Sequence, residues 1–145
     1  MTENQSIRST KLPLNTVFEL GETITEEQAV FLEQHGFLHF RGVASKDEVK
    51  AISEEVDKLQ EEWLREGKEE IFGIPLFKGA DHGKHERIQR MPFTSCFSSA
   101  IKEFVRDARF EPVRKLVGED ARVGDEEKDG VVVNTYMNVP GSVYP

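Results

Sequence analysis

The densest group of potential ligands in the chain is Asp81-His82-Gly83-Lys84-His85-Glu86. It sets two imidazoles and two carboxylates close together, donors that iron or zinc accepts. Metal sites usually draw their ligands from separate rigid elements, whereas this run reads as a glycine-containing loop. A solvated or substrate-facing loop is the main reading, and His82 and His85 as metal ligands is the minor one. Directly downstream, Arg87 and Gln89 share one face of an expected strand from Glu86 to Met91, because side chains alternate across a strand. A guanidinium on a strand inside a cavity suits bidentate carboxylate binding. The competing reading makes Arg87 and Arg90 surface cations on an edge strand. A third candidate is the strand beginning at Val131, where Asn134, Tyr136 and Asn138 fall on one face. A face mixing amide and phenol groups needs partners if it is buried, and so reads as the lining of a polar cavity.

Other chemistries find no support. Neither the dinucleotide-binding glycine pattern nor a P-loop occurs, and no serine sits in a nucleophile elbow. Paired carboxylates such as Glu54-Glu55 and Glu61-Glu62 lie on a helix face, where solvation is the default. His35 falls near a helix end and His39 between Leu38 and Phe40, and both read as structural. Cys96 is the sole cysteine, so no internal disulfide can form. Its apolar setting predicts a small buried side chain.

The chain has 145 residues, 19 Lys and Arg against 27 Asp and Glu, and a net charge of -8. Phosphate neutralisation needs clustered cations, so a nucleic-acid partner is not expected. No apolar run approaches the roughly 20 residues of a membrane helix, and neither a signal peptide nor a membrane association is expected. The expected setting is the cytoplasm.

The elements that would position these residues can be read in order. Residues 1–12 are polar and expected to be flexible, and 13–145 are expected to form part of a single domain. Thr25-Glu26-Glu27-Gln28 fits a capping box opening a helix that Gly36 stops. Phe37 to Arg41 reads as a short strand. Ser45-Lys46-Asp47-Glu48 is a second capping box, before a long helix whose stripe is Val49, Ile52, Val56, Leu59 and Trp63, ended by Gly67. Residues 68–86 read as a long loop with short extended pieces, and no short hairpin link is expected. Two short helices follow, one carrying Ile101, Phe104 and Val105, the other Phe110, Val113, Leu116 and Val117 up to Gly118. After a charged turn, Val131 to Asn138 is the last strand. The fold class is α+β, with a sheet that looks unfinished.

Together these segments resemble a known family. Phe31-Leu32-Glu33-Gln34-His35-Gly36-Phe37-Leu38-His39-Phe40-Arg41-Gly42-Val43, followed by Ser45 and the long helix, resembles the opening of the phytanoyl-CoA dioxygenase family. Glu86-Arg87-Ile88-Gln89 looks like the strand where that family has a basic residue two before a glutamine. Val133-Asn134-Thr135-Tyr136-Met137-Asn138-Val139-Pro140-Gly141 resembles the core strand and turn leading to the family's His-x-Asp motif. The resemblance covers nearly all of 25–145. It implies the N-terminal helices and first strands of a double-stranded β-helix (jelly-roll), incomplete in this chain. It also implies a non-haem Fe(II)/2-oxoglutarate-dependent dioxygenase hydroxylating a small-molecule or acyl-CoA-type substrate. Arg87, Gln89, Asn134 and Tyr136 would then contact 2-oxoglutarate. The sequence departs from the family by lacking any His-x-Asp or His-x-Glu pair, so catalytic and iron-binding residues are expected only beyond Pro145. This chain alone is accordingly expected to be inactive, its partner being the remainder of the oxygenase domain. The alternative is a non-catalytic, acidic α+β interaction module.

Overall fold

The structure is a computed structural model, and it describes residues 8–81, 85–124, 126 and 129–135. Among these residues the chain is mixed α+β, with four α-helices and short strands in two-stranded pairings. It divides into two compact units, Met1–Ser45 with Asp107–Ala121, and Lys46–Arg106 with Arg122–Pro145.

The first unit is built on helix α1, Glu26–His35. Its capping box forms as the sequence requires: Gln28 N donates to Thr25 Oγ1, and Thr25 N donates to Gln28 Oε1. Gln28 is buried, and its Nε2 also donates to the Glu19 carbonyl at 3.0 Å, so one side chain ties the helix start to strand β1. The helix ends on Gly36, whose φ of 79° is the left-handed conformation that favours glycine. Strands β1, Phe18–Glu19, and β2, Phe40–Arg41, pair in parallel on either side of α1 in the chain. Phe31 is fully buried, with the Phe18 and Phe37 rings set edge-on at 5.3 and 5.6 Å. His35 is the last residue of α1 and lies 4.5 Å from the Phe31 ring, the structural placement expected of it. His39 precedes β2 and contributes its carbonyl to the Phe18 amide.

The second unit holds the main core. Helix α2, Lys46–Arg65, buries Leu59 and Trp63. It closes on Gly67: Gly67 N donates to the Leu64 carbonyl and Lys68 N to that of Trp63. Those two bonds make the Schellman ending. The expected stripe is only partly used, since Val49 at the helix start is exposed. Residues 68–86, expected to be a long loop, instead contain two hairpins. Strands β3, Glu70–Ile71, and β4, Ile74–Pro75, turn through Phe72 and Gly73. Strands β5, Lys78–Asp81, and β6, His85–Ile88, form the longer pair. The first hairpin has no Asn-Gly signal, because Phe72 takes the left-handed conformation (φ 47°) normally given to Asn, Asp or Gly. Leu59, Trp63, Ile71, Leu76, Ile88 and Met91 form the core, with Val56, Leu64, Phe93 and Val133 packed against it.

Helix α3, Ser99–Val105, starts on Ser98 and buries Ile101. Helix α4, Glu111–Val117, belongs to the first unit and does not turn its expected apolar stripe inward. Val113 and Leu116 are exposed and Val117 is 83% exposed, while Pro112 in the first turn is buried. Cys96 is likewise exposed rather than buried. It ends the 3-10 turn Thr94–Cys96, whose first two residues are the ones turned inward.

Candidate functional site

The strand expected from Glu86 to Met91 is divided at Gln89 into β6 and β7, Arg90–Met91. Gln89 is a bend at which the chain changes partner. Its amide donates to the Phe77 carbonyl on the β5 side at 2.7 Å. Its carbonyl accepts from Thr135 N at 2.8 Å, beside strand β8, Val133–Asn134. The bend also resets the alternation of side chains. Ile88 and Met91 are both fully buried although three residues apart, which strict alternation forbids. Gln89 contributes mainly through its backbone.

Arg87 is half-buried, and its Nη1 lies 3.6 Å from Asp57 Oδ1 on α2. Asp57 is mostly exposed, so the pair contributes little to stability. Arg90 is exposed and makes no hydrogen bond or ion pair with another described residue. Its register partner on β8 is Asn134, also exposed, and Met91 pairs with Val133 beside it. Directly opposed residues carry Cβ atoms about 5 Å apart on one face. The structure thus brings Arg90 and Asn134 together. Tyr136 and Asn138, the other residues expected there, lie outside the described residues, as does His82. His85 is exposed on β6, in register with Asp81.

Polar groups of a tight turn hold β8 in place. Thr94 donates to the Val131 carbonyl twice, from its amide at 2.8 Å and from Oγ1 at 2.9 Å. The Val131 amide donates in return to Ser95 Oγ at 3.0 Å. Thr94 and Ser95 are buried. On the other edge of β6, the Ile88 amide donates to Gln60 Oε1 of α2 at 2.8 Å, and Gln60 is buried too. Gln60 falls within the apolar stripe of α2, where a sequence pattern gives no hint of a polar anchor.

Among the described residues, no group of three His, Cys, Asp or Glu side chains is placed to hold a metal ion. The described residues therefore do not fit an iron site.

The first unit contains a concavity that the sequence did not suggest. It has a volume of about 510 Å³ and is lined by Glu19, Leu20, Arg41, Gly42, Val43 and Arg109. Both cations in it carry carboxylates. Arg41 Nε and Nη2 lie 3.3 and 3.1 Å from Glu19 Oε1. Arg109 grips both oxygens of Asp107 and donates through Nη1 to the Val43 carbonyl at 2.8 Å. The Arg109 side chain, and then its amide, hold the Asp107 carboxyl below the ordinary range for aspartate. Arg109 is therefore a staple between two distant segments more than a receptor for an outside anion. A short Asp-x-Arg turn was legible in the sequence, but nothing there ties Arg109 to Val43.

No protein-family model matches the chain, and no curated protein or solved structure matches it either.

Proposed function

We propose that this chain is the N-terminal part of a phytanoyl-CoA-dioxygenase-like Fe(II)/2-oxoglutarate-dependent oxygenase. In this reading it supplies the first strands of a jelly-roll and one wall of the co-substrate pocket, and the protein works on a small-molecule or acyl-CoA-type substrate in the cytoplasm. The observation that carries the reading is the polar sheet face. Arg90 and Asn134 oppose each other on β7 and β8 and are exposed, while Met91 beside Arg90 is sealed in the core, and half-buried Arg87 adjoins the buried Ile88 on β6. A carboxylate ligand needs such a face, with charged and amide donors on strands held rigid from behind. The order of α1, Gly36, Phe37, β2 and α2 also agrees with the family's opening segment. Iron, when bound by the whole protein, would supply the oxidising chemistry, and its ligands would come from outside the described residues. The part played by this chain is to bind and orient a carboxylate.

The test uses the protein encoded by the complete natural reading frame. Calorimetry should show 2-oxoglutarate binding that depends on added Fe(II), weakened by Arg87→Ala. Failure of that protein to bind either iron or 2-oxoglutarate would overturn the proposal without any need to know the substrate.

One observation favours the interaction-module reading. The rings of Phe72 and Phe97 stack at 5.7 Å while 49% and 42% exposed, with Trp63 edge-on behind Phe97. Stacked aromatics left open to water are typical of contact surfaces. Phe97→Ser should leave 2-oxoglutarate binding intact if the chain is part of an oxygenase, and should abolish self-association or partner binding if it is a module.

A further inference from the structure

We infer that the concavity of the first unit binds a small zwitterion, an α-amino acid with an aliphatic side chain, through the Glu19–Arg41 ion pair. The site is built from residues that the oxygenase reading does not use, and it stands or falls apart from that reading.

Its position follows from the parallel pairing of β1 and β2. Parallel strands end in the same direction, so the turns that leave them begin side by side, and ligands of parallel sheets collect at those carboxyl ends. Glu19 and Arg41 are register partners at the ends of their strands, and Leu20, Gly42 and Val43 follow them directly. All five line the concavity of about 510 Å³, a volume in the range of small-molecule sites. One wall is fixed in advance. Arg109 Nη1 donates to the Val43 carbonyl at 2.8 Å, and the rest of that guanidinium holds Asp107.

The ion pair is only half used. Arg41 turns Nε and Nη2 to a single oxygen, Glu19 Oε1, at 3.3 and 3.1 Å. Glu19 Oε2 and Arg41 Nη1 make no hydrogen bond or ion pair with another described residue. The two side chains are 76% and 69% exposed, so both groups are open to a ligand. Nη1 and the second hydrogen of Nη2 form the free edge of the guanidinium, which can hold a carboxylate by two parallel bonds. Glu19 Oε2 can accept from an ammonium.

Charge decides the class of ligand. A simple anion is drawn to Arg41 and repelled by Glu19 at nearly the same distance, and a simple cation meets the reverse. A molecule carrying both charges gains from both and closes a ring of alternating charges, leaving the Glu19–Arg41 bonds intact. The two protein charges are adjacent, so the ligand's must be adjacent too, as they are when ammonium and carboxylate share one carbon. Half-buried Leu20 and Val43 offer apolar surface to an aliphatic side chain. Exposed charges are hydrated and screened, so the affinity expected is millimolar.

The test is an NMR titration of the 145-residue chain with L-leucine, followed at the Gly42 amide and the Arg41 Nε–H. Saturable shifts are expected. Isocaproate, which lacks the ammonium, and isoamylamine, which lacks the carboxylate, should each bind about tenfold more weakly, as loss of one charge-assisted bond implies. β-Homoleucine, with its charges one carbon further apart, should also bind more weakly than leucine. Two variants should exchange these preferences. Glu19→Gln should bind leucine no better than isocaproate, and Arg41→Gln should bind it no better than isoamylamine. Both residues lie at the surface, and unchanged shifts at the buried Phe31 would show that the variants remain folded. The inference is overturned if leucine gives no saturable shift, if either singly charged analogue or β-homoleucine binds as tightly as leucine, or if both variants bind leucine as the native chain does.

Discussion

Replacing Gln60 by methionine tests how the helix holds the sheet. Gln60 is buried in α2, and its Oε1 is the acceptor for the amide of Ile88, a residue with no exposed surface. Methionine keeps the length of the side chain and removes the acceptor. A buried amide left without a partner costs about 1–3 kcal/mol. The added apolar surface returns part of that, under about 1 kcal/mol for a group of one methylene's size. The net loss should be about 1–2 kcal/mol, or about 3–6 °C in Tm at roughly 3 °C per kcal/mol for a chain of this size. Urea denaturation should show a lower midpoint at unchanged m, meaning stability was lost without a change in the surface exposed on unfolding. Hydrogen exchange should locate the loss, with the Ile88 amide losing protection ahead of the rest of the core. The reasoning is refuted if Gln60→Met is as stable as the native chain, or if the Ile88 amide stays as protected as before. Either result would mean that another acceptor, water included, serves that amide.

Three further outcomes are expected. Gly130→Ala should destabilise by about 1–3 kcal/mol, the usual cost of overpacking, because its Cβ would meet the Phe93 backbone at 2.8 Å; thermal melts would measure it, and an unchanged Tm would show that the Phe93 turn yields freely. Thr25→Ala should cost about 1 kcal/mol through loss of the helix cap, read by denaturant titration, while Gln28→Ala should cost more because the Glu19 carbonyl also loses a donor. Acid should loosen the Asp107–Arg109 staple. The folded-state value of Asp107 is depressed, so its stabilising contribution is complete above the ordinary aspartate value of about 4 and is lost as pH falls through the lower folded value. Arg109→Gln should reduce that acid sensitivity, leaving only the backbone amide on Asp107, measured as exchange of the residue 109 amide between pH 5 and about pH 2.5; equal pH profiles for the two proteins would count against the staple.

The helices and their ends were legible because their causes are local. Thr25 and Gln28 cap α1 within a single turn, Gly36 and Gly67 end α1 and α2 where a left-handed residue is needed, and Leu59 and Trp63 face inward at helical spacing. What depended on distant residues was not legible. The hairpin at Phe72 breaks the usual turn chemistry, and its Phe72 and Phe93 rings, both on left-handed residues, meet at 5.4 Å across a long stretch of sequence. The stripe of α4 predicted a core face, yet Val113, Leu116 and Val117 stay exposed, because periodicity shows that a face is apolar and not whether anything covers it. The candidate site divides in the same way. Arg87 and Asn134 were visible as polar residues on strand patterns, since alternation is a property of the strand itself. The joining of Arg90 to Asn134 depended on the bend at Gln89 and on the hydrogen bonds that Thr94 donates to the Val131 carbonyl and Ser95 accepts from the Val131 amide, tens of residues away. Sequence determined which groups were available and which local elements would carry them. Only the tertiary structure decided which guanidinium faces the amide, because strand register is fixed by contacts that no local pattern encodes.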